Sequence, residues 1–144
     1  MTIDESQEFV IQKFLEHESW EDRYMHIMDY GDGAEKMPVE YKTENNIIVG
    51  CQTRVWIHSV LVDGKMKIWA DAEGKIIKGL VTVIVNIFNN QSPKEILASD
   101  CKFIEKMGFG QFLSVNRSNG VLLMVQRILE DANKFIKQLE TKQV

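Results

Sequence analysis

Residues 55–70 read VWIHSVLVDGKMKIWA, two β-prone runs separated by a single Asp-Gly pair at 63–64. Asp-Gly favours a two-residue type I′ turn, because both central residues of that turn have positive φ and its twist matches that of the flanking strands. The stretch therefore predicts an antiparallel hairpin. Its expected cross-strand pairs are Val62 with Lys65, His58 with Trp69, and Trp56 with Asp71.

Helical patterns lie on both sides of this hairpin. Before it, capping signals at Thr2 and Ser19 predict two helices, the second of which ends at Gly31. After it, apolar residues recur at helical spacing over 76–88 and 121–139, and shorter helices are predicted to begin at Ser92 and Ser99. Helices, then a small antiparallel sheet, then helices is the order typical of an α+β fold.

Composition limits the class of protein further. With 144 residues and 44% hydrophobic content, the chain suffices for one core, so we expect a single domain over residues 1–144. Seventeen basic against 21 acidic residues give a net charge of -4, which does not fit a nucleic-acid-binding surface. The N-terminus is acidic and no apolar run is long enough for a membrane, so we expect a soluble, cytoplasmic protein.

Cys51 is the leading candidate for chemistry. It lies just beyond the open end of the hairpin, between Gly50 and the polar residues 52–54. A thiolate is the reactive form of cysteine, so a reactive thiol needs access and a nearby positive charge, which Arg54 could supply. Composition alone favours a structural thiol, since free cysteine is among the most buried residue types.

The other candidates each have a structural interpretation. Cys101 is predicted at a helix start, Asp71 is predicted to cap the helix after the hairpin, and Arg117 precedes the last helix, where it could hold a carboxylate or a loop. His58 could act as a base for Cys51, but no oxyanion-hole motif accompanies it, and a sheet-surface histidine is the favoured interpretation. No metal-ligand spacing or cofactor signature is present, so we predict no metal and no cofactor.

Residues 50–57, GCQTRVWI, closely resemble the Gly-Cys-Gln-Ser-x-Val-Trp signature of the SufE family, sulfur acceptors for cysteine desulfurases. The resemblance extends over nearly the whole chain, through WEDRY at 20–24, Asp71, IIKGL at 76–80, and RSNG at 117–120. Two departures stand out. DAEG at 71–74 replaces the family's Asp-Ser-Asp-Ala, and QFL at 111–113 replaces its Gln-His-Leu.

The resemblance implies a SufE/NifU-like α+β domain with helices packed on one face of the sheet. It implies that Cys51 accepts sulfur from the persulfide of a SufS-like cysteine desulfurase, stimulates that enzyme, and delivers sulfur to a SufBCD-like iron–sulfur scaffold. The protein would be a carrier and activator rather than a stand-alone enzyme. Asp71 and Arg117 would be supporting or partner-contacting residues.

Two alternatives from other classes stay open. A NifU-like metal or cluster scaffold would need three or four N or S ligands, which two cysteines do not provide. A Cys-His hydrolase would need His58 within hydrogen-bond reach of Cys51. For the carrier, we expect Cys51 to be shielded by apolar residues 47–49 and 55–57, and partner binding to swing the loop outward.

Overall fold

The computed structural model describes residues 1–142. Its helices before the sheet are α1 (Ile3–Leu15) and α2 (Trp20–Asp32), followed by single 3-10 turns at Val39–Tyr41 and Glu44–Asn46. The strands are β1 (Val55–Val62) and β2 (Lys65–Ala72). The remaining helices are α3 (Lys75–Phe88), α4 (Pro93–Ala98), α5 (Phe103–Lys106), α6 (Phe109–Phe112) and α7 (Val115–Lys142).

The hairpin has the predicted register. Val62 pairs with Lys65, His58 with Trp69, and Trp56 with Asp71. Asp63 and Gly64 have φ values of 52° and 79°, the positive values that a type I′ turn requires. The strand β2 runs past the predicted Ala70 to Ala72, which places Asp71 inside the strand. The predicted capping role of Asp71 is therefore wrong, because Gly74 is the N-cap of α3.

Helices cover one face of the two-stranded sheet, which confirms the predicted α+β architecture. The helix α3 packs on β2 and α7 packs on β1. Side chains alternate along a strand, so every second residue points at these helices. The buried members of this inner face are Val55, Ile57, Met66 and Ile68. The opposite face is partly covered by the segment before β1, since Tyr41 stacks on His58 and Lys42 lies over Trp56.

The predicted helix starts in the first half of the chain are confirmed, but one end is not. Thr2 and Glu5 form the capping box of α1, and Ser19 accepts from the Asp22 backbone N–H at the start of α2. The helix α2 continues through Gly31 to Asp32, with Gly33 as its C-cap. Gly31 is buried against α3 instead, where an added Cβ would lie 3.0 Å from the Gly79 nitrogen.

The second half of the chain differs from expectation at two places. Cys101 does not begin a helix; it has a φ of 51° and precedes the short helix α5. The long helix α7 begins at Val115, before the predicted residue 121. Arg117 and Gly120 therefore lie in its first two turns rather than in a preceding loop.

Candidate functional site

The loop that carries Cys51 lies directly against α7. Gly50 has a φ of 103°, which side-chain-bearing residues rarely adopt, and a Cβ there would come within 2.9 Å of the Leu123 side chain. Glycine is thus required by both the backbone conformation and the space available. The bend predicted at this position is present, and it turns the Cys51 side chain toward the protein.

Cys51 borders a cavity of about 230 Å³ built from three segments. These are the thiol loop, the entry into α3, and the first turns of α7. The residues that line the cavity are Cys51, Gln52, Thr53, Glu73, Gly74, Lys75, Ile76, Ile77, Asn116, Arg117, Gly120 and Met124. The predicted walls at 47–49 and 55–57 are absent from this set, and Val49 is 86% exposed. The shielding comes from α3 and α7, which the sequence does not place beside the loop.

Burial is the dominant influence on the thiol. Cys51 is half-buried, and this burial raises the pKa of its thiol. Taking a thiolate out of water is costly, so the neutral thiol is favoured in the free protein. The arrangement protects the sulfur and also suppresses its nucleophilicity.

Gly120 provides the space in which the sulfur sits. It is buried in α7, and a Cβ at this position would lie 3.5 Å from Cys51 Sγ. Alanine would therefore only touch the sulfur, whereas a larger side chain would compete for its place. The sequence presents Gly120 only as part of a motif, and its contact with Cys51 becomes visible once α7 is packed against the loop.

Arg117 lines the same cavity, and its side chain has no fixed partner in the described part of the chain. Its side chain is exposed, and within residues 1–142 its guanidinium makes no ion pair or hydrogen bond. Its backbone N–H donates to Ser114 Oγ at 3.2 Å. An uncommitted guanidinium beside a thiol can stabilise an anion that forms there.

Asp71 does not line the cavity. Its carboxylate pairs with Lys42 Nζ at 2.5 Å and Lys78 Nζ at 3.6 Å, and accepts from the Ala72 backbone N–H at 2.8 Å. Burial alone would raise the pKa of Asp71, but the hydrogen bonds from Lys42 and Ala72 and the two lysine charges outweigh it and lower that pKa. Asp71 thus ties the end of β2 to α3 and to the segment before β1.

His58 and Cys101 also lie outside the cavity. The His58 ring stacks on Tyr41 with centroids 4.0 Å apart, and its Nδ1 is 3.2 Å from the Asn46 amide nitrogen. Cys101 lies near the Ser99 carbonyl, with burial as the main influence that raises its pKa. The structure therefore brings Cys51 together with Arg117, but not with His58, Cys101 or Asp71.

Two absences among residues 1–142 bear on the class of protein. No three His, Cys, Asp or Glu side chains come together in a group that could hold a metal ion. No helix in this range combines the length and apolar character needed to cross a bilayer.

Residues 8–132 match the SufE family, described as an Fe-S metabolism associated domain. The chain belongs to the SufE family, and its role lies in iron–sulfur metabolism. Its fold is similar to the solution structure of a hypothetical protein from Thermus thermophilus, with a TM-score of 0.77 and 17% identity over 92% of this chain and 96% of that chain.

Proposed function

We propose that this protein is a sulfur acceptor that takes persulfide sulfur onto Cys51 from a SufS-like cysteine desulfurase, with residues 1–144 acting as one SufE-like domain. The observation that carries the proposal is the shared cavity of Cys51 and Arg117. It combines a half-buried thiol with an uncommitted cation, and it has room for one more sulfur atom.

The transfer conserves atoms and electrons. The Cys51 thiol loses its proton and attacks the terminal sulfur of the desulfurase persulfide. One S–S bond forms to Cys51 Sγ as the S–S bond on the desulfurase breaks, and the departing desulfurase thiolate takes up the proton. The products are a Cys51 persulfide and a free desulfurase thiol, so no outside oxidant or reductant is consumed.

In this proposal, the residues around Cys51 shield the sulfur and stabilise its negative charge. The apolar side chains of Ile76, Ile77 and Met124 shield a persulfide from reductants in solution. Arg117 offers positive charge to the thiolate and to the persulfide anion, which offsets the unfavourable effect of burial. Asp71 supports the site by holding the end of β2 from which the cavity wall at residues 73–77 begins.

The downstream steps follow from the same chemistry. A persulfide on a carrier can be passed to a second thiol by repeating the transfer, and we propose a SufBCD-like iron–sulfur scaffold as the recipient. Stimulation of the desulfurase follows from this acceptance, because removing its persulfide frees the enzyme for another turnover. The protein itself would hold no metal or cofactor and would act in the cytoplasm.

The experiment is to mix the protein with a SufS-like desulfurase and cysteine and measure its intact mass. We expect a gain of one sulfur atom in the parent protein and in Cys101→Ser, but none in Cys51→Ser. Peptide mapping should place the added sulfur on Cys51. A folded Cys51→Ser protein that still gains sulfur, or a parent that gains none, would contradict the proposed function.

A further inference from the structure

The segment leading to the thiol loop ends at a buried asparagine. Asn46 is only 8% exposed, and the polar atoms of its side chain are all engaged. Its amide nitrogen donates to the Tyr41 carbonyl at 2.7 Å and lies 3.2 Å from His58 Nδ1. Its carbonyl oxygen accepts from Arg127 Nη2 at 3.1 Å. A buried side chain with every polar group paired is held in one orientation.

The partners of Asn46 determine which way its amide points. A guanidinium can only donate hydrogen bonds, so the oxygen of Asn46 must face Arg127. Its two N–H groups then face the Tyr41 carbonyl and His58 Nδ1, and His58 must accept on Nδ1 and carry its proton on Nε2. His58 is thus the neutral imidazole in this contact.

These contacts join Asn46 to the sheet and to the long helix. Arg127 Nε also donates to Asp131 Oδ1 at 3.2 Å, and Asp131 Oδ2 accepts from Ser59 Oγ at 2.9 Å. The Tyr41 ring stacks on His58, as described above. Asn46 therefore links three parts of the fold: its own segment, β1 and α7.

Four residues separate this anchor from Cys51. Within the described part of the chain, the hydrogen bonds that hold the thiol loop join its flanks rather than its tip. On one side the Ile48 N–H donates to the Val55 carbonyl at 2.9 Å, and on the other the Glu73 N–H donates to the Arg54 carbonyl at 2.9 Å. The tip at residues 49–53, which we call the flap, is held mainly by packing against α7, where Gly50 adjoins Leu123 and Cys51 adjoins Gly120.

We propose that Asn46 is a positioning residue that keeps the flap closed, so that Cys51 stays in its cavity in the free protein. This deepens the proposed sulfur-acceptor role and rests on it for its biological meaning. The physical claim concerns the exposure of the thiol in the free protein. Removing the Asn46 side chain leaves the Tyr41 carbonyl and His58 Nδ1 without this partner, leaves Arg127 bonded to Asp131 alone, and frees the flank to move.

The test is the rate of alkylation of Cys51 in the free protein, with Cys101 in the same molecule as an internal reference. Iodoacetamide labelling of native protein followed by peptide mapping gives both rates from one sample. For Asn46→Ala we expect Cys51 labelling to rise about tenfold and Cys101 labelling to change less than about twofold, since a tenfold shift needs only the free energy of one or two hydrogen bonds. Asn45→Ala, an exposed neighbour of the same type, should leave both rates unchanged.

The internal reference separates positioning from general destabilisation. If both thiols of Asn46→Ala react faster to the same degree, or if neither does, the proposal is overturned. Should Asn46→Ala fail to fold, Arg127→Lys decides by the same criterion, because an ammonium can still pair with Asp131 but lacks the second arm that reaches Asn46. No desulfurase is present in the alkylation assay. The assay therefore tests the role of Asn46 independently of the sulfur-transfer experiment.

Discussion

At the scale of single residues, burial and the charge of Arg117 are expected to act in opposite directions on the Cys51 thiolate. Burial raises its pKa, which protects the sulfur but slows attack. Arg117 lines the same cavity, has no fixed side-chain partner among residues 1–142, and would favour the anion. A carrier needs both effects, because a sulfur that is always reactive is lost to solvent and one that is always protected is never transferred.

Arg117→Gln is expected to slow sulfur acceptance without affecting stability. The side chain is exposed and makes no ion pair among the described residues, so the change in unfolding free energy should stay within about 0.5 kcal/mol. Loss of the positive charge that lines the cavity of the thiol should lower the initial rate of transfer about tenfold. The measurements are a thermal melt and a single-turnover transfer assay.

Arg117→Lys is the matched control for this prediction. It keeps the positive charge but loses the planar fork, so a partial recovery of rate is expected. Equal rates in the parent and Arg117→Gln would remove Arg117 from the chemistry. A rate that falls only in proportion to the melting temperature would make its role structural.

At the scale of secondary-structure elements, two glycines allow a close crossing of α2 and α3. Gly31 and Gly79 face each other there, and a Cβ on Gly79 would lie 2.1 Å from the Ile27 carbonyl oxygen. Two backbones approach so closely because neither glycine has a side chain to hold them apart. The helix α3 also supplies cavity wall at Ile76 and Ile77, so this crossing helps to set the position of the site.

Gly79→Ala should therefore destabilise the protein although alanine is the better helix former. The helix-propensity gain is about 1 kcal/mol, whereas forcing packed elements apart typically costs about 1–3 kcal/mol and sometimes more. The added Cβ would meet backbone atoms, which cannot rotate away as a side chain can. The packing cost should therefore exceed the gain in helix propensity and lower the melting temperature by several degrees. Gly110→Ala is the control, since a Cβ there meets nothing within 4 Å. A Gly79→Ala protein as stable as its parent would contradict this account of the crossing.

The elements also show which features could be predicted from the sequence. The hairpin register was predictable because the Asp63-Gly64 turn is local and its geometry allows one pairing. Helix starts at Thr2 and Ser19 were predictable for the same reason, since a cap and its partner lie three residues apart. Local signals of this kind involve few residues and do not depend on the rest of the fold.

Features set by tertiary contacts were not predictable from the sequence. Gly31 has the appearance of a helix end, but it is a helix residue that meets Gly79. Residues 116–120 are rich in loop-forming types, yet they are helical in the first turns of α7. Cys51 was recognisable as the candidate thiol by resemblance, whereas the cavity that shields it depends on how α3 and α7 meet.

At the scale of the whole molecule, protonation links several sites to stability. Burial is the main cause that lowers the pKa of His26 below its ordinary 6.5, and the nearby His17 lowers it further. The carboxylates of Asp29 and Glu16 oppose this shift. Burial likewise lowers the pKa of His58, opposed by Asp131 and assisted by Arg127. Asp71 has a pKa below its ordinary 3.8 for the reasons given above. These groups fall into two separate pH ranges.

Stability should accordingly be lost in two stages on acidification. A histidine whose folded pKa lies below its unfolded value contributes its full stability above about pH 6.5, and this contribution is lost as the pH falls through the folded pKa. The contribution of Asp71 to the free energy of unfolding also decreases on acidification, but at lower pH. It is fully present above about pH 3.8 and is lost below that value. We therefore expect a constant urea midpoint near neutrality, below the range in which thiols ionise, a first decline below about pH 6.5, and a second below about pH 4.

Substituting His26 should weaken the first decline in stability, and substituting Asp71 should weaken the second. His26→Phe keeps the ring that contacts Tyr30 and removes a buried Nε2 that has no hydrogen-bond partner among the described residues, so at neutral pH it should be as stable as the parent or more so. The urea midpoint of His26→Phe should fall less steeply below about pH 6.5, because this variant has no imidazole at position 26 that takes up a proton on unfolding. Asp71→Asn should be less stable than the parent above about pH 5 and should approach it in the second stage, where the parent loses the same ion pairs. Urea unfolding of the parent and both variants across this pH range tests both stages. If the first decline in His26→Phe is as steep as in the parent, His26 does not cause it. If Asp71→Asn stays less stable than the parent by the same amount down to the lowest pH, Asp71 does not cause the second decline.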